Sequence, residues 1–234
     1  LSLSLNLNMN MKIATENDKF VIPIKDFGVA SEKSTEKNDV ISLCEEKYGG
    51  EFYPVNRLDV VTGGLIVLAR SKRAAAELSA IISDKTKCKK RYLAVITGCP
   101  MESAGVFEDL LFFDRAKRKS FVCDRERAGV KKAALAYTVL GKSGEFTLVS
   151  VTLMTGRTHQ IRAQFASRGM PVAFDGKYGS RIKRTDTGHA GIALFSAGLE
   201  FDFDGRHFEV CEIPSGVYPF SLFEKELEAF KNGG

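Results

Sequence analysis

Apolar and polar positions along the chain fall into two rhythms, one with the period of a strand and one with the period of a helix. Lys19 to Ile24 is mostly apolar and reads as a strand, followed by a turn at Lys25-Asp26-Phe27-Gly28 and a polar loop through Asn38. Asp39 to Lys47 is predicted to be a short helix. Leu65 to Ala69 is a strand of unbroken apolar residues, and Ser71 caps a helix that gathers Ala74, Leu78, Ile81 and Ile82 on one face. Arg91 to Thr97 alternates as a strand should, stops at Gly98 and meets Pro100 as a breaker. Further strands are predicted at Gly105 to Leu111, Lys119 to Cys123, Ala133 to Leu140 and Glu145 to Leu153. The last runs into Thr155-Gly156-Arg157-Thr158, where a helix opens, carries Ile161 and Phe165 at i, i+4, and closes near Gly169. Ser221 with Glu224 reads as a capping box for a final helix whose apolar stripe is Phe223, Leu227 and Phe230.

Many strands with scattered helices and no regular βαβ rhythm predict an α+β fold with a mixed, largely antiparallel central sheet flanked by helices. Residues 1–15, opening on alternating Leu, Ser and Asn, are expected to be a flexible tail, and 16–234 a single domain. A chain of 234 residues with 44% hydrophobic content can bury a core of its own. Its longest apolar runs fall far short of the roughly 20 residues that span a bilayer, so no membrane partner is expected. Five cysteines, an odd number without a Cys-x-x-Cys pair, argue against a disulfide framework and against a zinc site, and imply a reducing cytoplasm.

The net charge of +5 says little, but its distribution says more. Lys85, Lys87, Lys89, Lys90 and Arg91 crowd one segment, and Arg115, Lys117, Arg118 and Lys119 another. Either cluster alone reads as a solvated loop; the two together point to phosphate contacts. Two segments could carry chemistry. Asn56-Arg57-Leu58-Asp59 precedes paired glycines and a buried strand, which can hold a carboxylate rigidly at the mouth of a cleft. Thr155-Gly156-Arg157-Thr158-His159-Gln160-Ile161-Arg162 directs a helix start, with Thr158 as cap, and two arginines toward an anion.

Taken in order, Arg57-Leu58-Asp59, Thr62-Gly63-Gly64-Leu65, Lys90-Arg91-Tyr92-Leu93-Ala94-Val95, Thr155 to Arg162, and Asp175-Gly176-Lys177-Tyr178-Gly179 resemble the RluA family of RNA pseudouridine synthases over roughly residues 16 to 220. The resemblance implies that Asp59 is the catalytic aspartate, that Tyr92 lies beside the target base and that Arg162 pairs with Asp59. It implies an RNA partner, ribosomal or transfer RNA, met by Arg57, Arg157, His159, Gln160, Lys87, Lys89 and Lys90. It also implies a monomer that needs neither metal nor organic cofactor, since isomerising uridine is redox-neutral and adds no group. The chain departs from the family pattern at Asn56 (usually His), at Gly63 (usually Ser) and at Lys25-Asp26-Phe27-Gly28 (usually Lys-Pro-x-Gly), and residues 1–18 are too few for an S4 domain. Two other readings compete: an RNA-binding module without catalysis, and a glycoside or nucleoside hydrolase. The second normally needs paired carboxylates, and no motif here positions a second one.

Overall fold

A computed structural model of the protein describes residues 11–182 and 191–233. Their strands form one continuous sheet: β1 (Ile13–Glu16), β2 (Phe20–Lys25), β3 (Tyr53–Pro54), β4 (Gly63–Leu65), β5 (Leu68–Ala69), β6 (Cys88–Thr97), β7 (Ala104–Asp114), β8 (Lys119–Cys123), β9 (Val130–Ser143), β10 (Phe146–Leu153), β11 (Leu194–Phe203) and β12 (Arg206–Cys211). The order across it is β3-β5-β2-β4-β11-β6-β10-β9-β7-β8, with β1 beside β2 and β12 beside β11. Among these pairs only β4 with β11 is parallel, so the sheet is mixed and largely antiparallel, and the fold is α+β as expected.

The apolar rhythm explains which strands are covered on both faces. Phe20 and Ile22, with Leu65 and Val67, pack toward α2 (Lys72–Ser83), while Val21, Ile66 and Leu68 pack toward α1 (Val40–Tyr48). Unbroken apolar runs at β2 and at Leu65–Ala69 follow from that double cover. The second run is nonetheless two strands: Val67 donates its N–H to the Asn56 side chain at 2.7 Å instead of to a neighbouring strand, which separates β4 from β5. Ser71 caps α2, accepting from Ala74 N–H, and Asp39 caps α1, accepting from Ser42 N–H.

On the other half of the sheet, β6, β9 and β10 bury Leu93, Val95, Leu135, Leu148, Val149 and Val151 in one core with Ile161 and Phe165 of α3 (Gln160–Ser167). Phe220, Phe223, Leu227 and Phe230 join it from the chain end, the last two from α4 (Glu224–Lys231). Ser221 and Glu224 do not form a capping box. A 3-10 turn over Phe220–Phe223 precedes α4, and the Glu224 carboxylate instead accepts from Ser215 Oγ at 2.9 Å and Gly216 N–H at 2.8 Å. Ile13 to Thr15, expected in a flexible tail, belong instead to a strand paired with β2; residues 1–10 of that expected tail lie outside the described residues.

The two halves meet at β11. There Gly64 pairs with Ser196 at φ +110, and a Cβ on it would come within 2.3 Å of the Ser196 carbonyl oxygen. Gly64→Ala is therefore expected to combine backbone strain with a backbone clash and to destabilise the fold by about 3 kcal/mol or more. Gly144→Ala, at φ +58 in the β9–β10 turn with nothing within 4 Å of the added carbon, should lose only about 1 kcal/mol. Urea denaturation of the two variants, each against the parent, measures the difference.

Candidate active site

Asp59 stands in the turn between β3 and β4, and the backbone around it is tied down from several sides. Ser31 Oγ donates to Leu58 O at 2.8 Å and accepts from Leu58 N–H at 3.0 Å, and Thr62 N–H donates to Asp59 O at 2.9 Å. Gly28 N–H donates to Val60 O at 2.8 Å. Beneath this turn lies Lys25, fully buried, whose ammonium donates to the carbonyls of Asp26, Val29 and Val60. Burial pulls the Lys25 pKa down to about 8, against the attraction of Asp26 and Asp59. Phe27 packs against two glycines: a Cβ on Gly63 would meet its ring at 2.9 Å, and one on Gly191 at 2.3 Å. Gly63 thus leaves room for the Phe27 ring.

Arg162 reaches this turn from α3. Its Nη1 donates to Asp59 Oδ2 at 2.7 Å, while Nε and Nη2 form a two-pronged bond to Asp175, at 2.7 Å to Oδ2 and 3.0 Å to Oδ1. The side chains of Arg162 and Asp175 are 5% and 1% exposed, whereas Asp59 keeps 27% and alone of the three faces solvent. Burial opposes the Arg162 charge, but hydrogen bonds and attraction from both carboxylates outweigh it and leave its pKa raised. The expected Asp59–Arg162 pair is present. The chain does position a second carboxylate, Asp175, contrary to the expectation; it is sealed behind the guanidinium and cannot reach a substrate as a hydrolase acid would.

His159 adopts a left-handed backbone at φ +54 at the start of α3 and makes no side-chain cap, nor does Thr158, whose carbonyl instead accepts from Ser120 Oγ. The His159 ring runs along the site. Ser120 N–H donates to the Tyr178 hydroxyl at 2.8 Å, and that hydroxyl lies 3.0 Å from His159 Nδ1. With its oxygen accepting from the backbone, the phenol donates to Nδ1, which leaves the ring proton on Nε2, 3.7 Å from Asp59 Oδ2. Burial, helped by Arg162 and Lys177, lowers the His159 pKa against the pull of Asp59, so the imidazole is neutral at pH 7. Tyr178 also stacks beneath Arg162, with the guanidinium carbon 5.0 Å from its ring centre.

Tyr92 is buried on β6, in register with Ser196 of β11 and within electrostatic range of Asp59; burial pushes its hydroxyl up to about 12. The remaining expected contacts divide. Lys90 shares the Tyr92 face of β6 by strand alternation. Lys89 faces the other way and pairs with Glu200 at 2.8 Å, and Lys87 is exposed beside Asp84 at 3.8 Å. Arg57 is exposed and paired with Glu32 at 2.8 Å, and Arg157 is exposed with its Nε donating to Lys132 O at 2.9 Å. Gln160 is buried, and its amide is consumed by the protein: Oε1 accepts from Thr155 Oγ1 at 2.7 Å and Arg157 N–H at 3.0 Å, and Nε2 donates to Ala134 O at 3.0 Å. Those bonds make Gln160 a brace of the turn before α3. Among the described residues no group of three His, Cys, Asp or Glu side chains gathers that could hold a metal ion.

A solvent-facing aspartate held by a buried arginine, beside a buried tyrosine, is the arrangement the motifs anticipated. A family model described as RNA pseudouridylate synthase matches residues 14–167. The chain belongs to this family. Its RluA-type character accords with relatives named as ribosomal large subunit synthases. The chain is 27% identical over 205 residues to an RNA pseudouridine synthase of Haemophilus influenzae, covering 87% of this chain and 88% of that protein. It is 36% identical over 169 residues to one of Bacillus subtilis (70% and 54% covered). It is 31% identical over 179 residues to the ribosomal large subunit pseudouridine synthase D of Borreliella burgdorferi (74% and 53% covered). The chain thus spans about half the length of the latter two. The fold matches that of human RNA pseudouridylate synthase domain containing 1, with a TM-score of 0.74 at 21% identity over 90% of this chain and 86% of that one.

Removing the inner carboxylate should undo this arrangement from behind. Asp175→Asn leaves one prong of a buried guanidinium facing an amide N–H, and is expected to lower stability by about 3 kcal/mol. Glu32→Gln, which breaks only the exposed pair with Arg57, should change it by less than about 1 kcal/mol. Thermal and denaturant melts of both variants test the contrast.

Proposed function

We propose that the enzyme converts specific uridines in ribosomal RNA to pseudouridine with Asp59 as the reacting carboxylate. The reaction breaks the bond from the sugar's anomeric carbon to N1, turns the uracil, and joins the same carbon to C5; the C5 proton leaves and N1 gains one. Asp59 serves this either by attacking the anomeric carbon or by taking the 2′ proton, and both routes need an ionised carboxylate open to the sugar. The observation that carries the reading is the shared guanidinium. Arg162, anchored on Asp175, presents a fixed charged donor to Asp59 without closing it from solvent.

The other roles follow from the neighbours. Tyr92, neutral and buried beside the site, offers a flat apolar face to a flipped base. Arg57, on the exposed side of the same turn, exchanges its surface partner Glu32 for the RNA backbone. His159 positions the sugar or its phosphate through Nε2–H, and Arg157 lies on the approach. A ribosomal target is favoured over transfer RNA by the large-subunit relatives, and five free cysteines favour a cytoplasmic setting. The continuous sheet from β1 to β12 supports a single catalytic domain.

Asp59→Asn is expected to abolish tritium release from 5-labelled uridine RNA while leaving RNA affinity within about twofold; activity near that of the parent would overturn the assignment. Arg162→Met should lower turnover at saturating RNA by about a hundredfold or more, and Arg162→Lys should restore only part of it, because an ammonium lacks the fork that engages both carboxylates. A defect confined to the RNA concentration needed for half-maximal rate would assign Arg162 to binding alone.

A further inference from the structure

One group of cations near Tyr92 is not used by the chemistry above. On β6, Lys89 and Arg91 face away from Tyr92 and find carboxylates, Glu200 at 2.8 Å and Glu209 at 3.5 Å. On the Tyr92 face, Lys90 has no carboxylate partner among the described residues, and neither does Lys85 in the turn between α2 and β6. The two ammonium groups are close enough to interact electrostatically, Lys85 half-buried and Lys90 more deeply so. Lys85 Nζ also lies against the turn before α3, 3.9 Å from where a Cβ on Gly156 would stand, with Arg157 close enough to repel it. Two partly desolvated like charges, reinforced by a third and left without a counter-ion, form an arrangement that an anion with several oxygens would stabilise.

We propose that Lys85, Lys90 and Arg157 form a binding site for one backbone phosphate of the RNA, next to the uridine held at Tyr92. This rests on the reading that RNA enters over the Tyr92 face. Lys90 precedes Tyr92 by two strand positions, about 7 Å, which is the scale of one nucleotide step along an extended backbone. Gly156 bears no side chain to fill the space beside Lys85, so the phosphate can approach the turn closely.

The site carries a proton linkage. Burial first, and then the neighbouring Lys85, lowers the Lys90 pKa to about 8, and Lys85 is lowered by burial with Arg157 adding to it. The other titratable group acting on both lysines is Cys88, on the same strand as Lys90 and itself raised by burial. A bound phosphate favours the protonated lysines, so RNA binding takes up protons, and affinity falls as pH rises through about 8.

The test follows binding of a short labelled oligouridylate by fluorescence anisotropy across salt and pH. Lys85→Gln with Lys90→Gln should weaken binding at least about tenfold and reduce the slope of log affinity against log salt by about 1.4, two single-strand contacts' worth. It should also flatten the loss of affinity above pH 8. Lys72→Gln with Lys225→Gln, which removes equal charge from exposed positions outside the group, should leave most of the slope in place. Lys85→Arg with Lys90→Arg keeps charge and bulk, and should keep the slope while moving the pH effect out of range. An unchanged slope in the Gln pair, an equal loss in the control pair, or a pH profile in the Arg pair identical to the parent's would each overturn the site. Tritium release from 5-labelled uridine RNA separates the two readings: binding that depends on these lysines without any release would sink the Asp59 chemistry alone.

Discussion

A single buried guanidinium holds the working end of this enzyme together. Arg162 has more donors than one carboxylate can satisfy, and an uncompensated cation at its depth would be costly by several kcal/mol. Asp175 satisfies two nitrogens and neutralises the charge; the third is then free to define where Asp59 stands. The three side chains come from the β3–β4 turn, from α3 and from the segment after it. Placing α3 against the sheet therefore also places Asp59. The left-handed His159, the hydroxyl of Tyr178 and the buried Gln160 belong to the same construction, each fixing the angle at which α3 leaves the preceding turn.

Much of this was legible in the residues. The alternating strands β6 to β10 announced themselves, as did the cap Ser71, because local periodicity and capping chemistry decide them. The pairing of Asp59 with Arg162 was carried by motif order and not by spacing. What escaped was set by tertiary contacts. Asp175 and Tyr178 sat in a quoted motif without a role, since nothing local says that an aspartate thirteen positions beyond an arginine will turn back onto it. β11 and β12 were missed although Asp204-Gly205, both at positive φ (52° and 71°), is a strong hairpin signal between apolar runs. The capping box at Ser221 failed because the chain there prefers a 3-10 turn and its glutamate has nearer donors.

The basic clusters show how charge density in a sequence divides once folded. Of the cations crowded before Tyr92, alternation sends some to the face where acidic residues of β11 and β12 receive them, and leaves others beside the site without a carboxylate partner among the described residues. The count of positive residues could not separate these. The strand parity does, and it singles out Lys90 over Lys89 although the two are adjacent.

The central place of β11 bears on how the protein comes into being on the ribosome. The β2–β4–β5 half and the β6–β10 half touch each other through a strand that begins only at Leu194. While the chain is being synthesised, each half can collapse onto its own helices, but Asp59 and Arg162 belong to different halves. Contacts so distant along the chain form late. Catalytic competence should therefore arise in one step, only once β11 has been made and has joined the two halves.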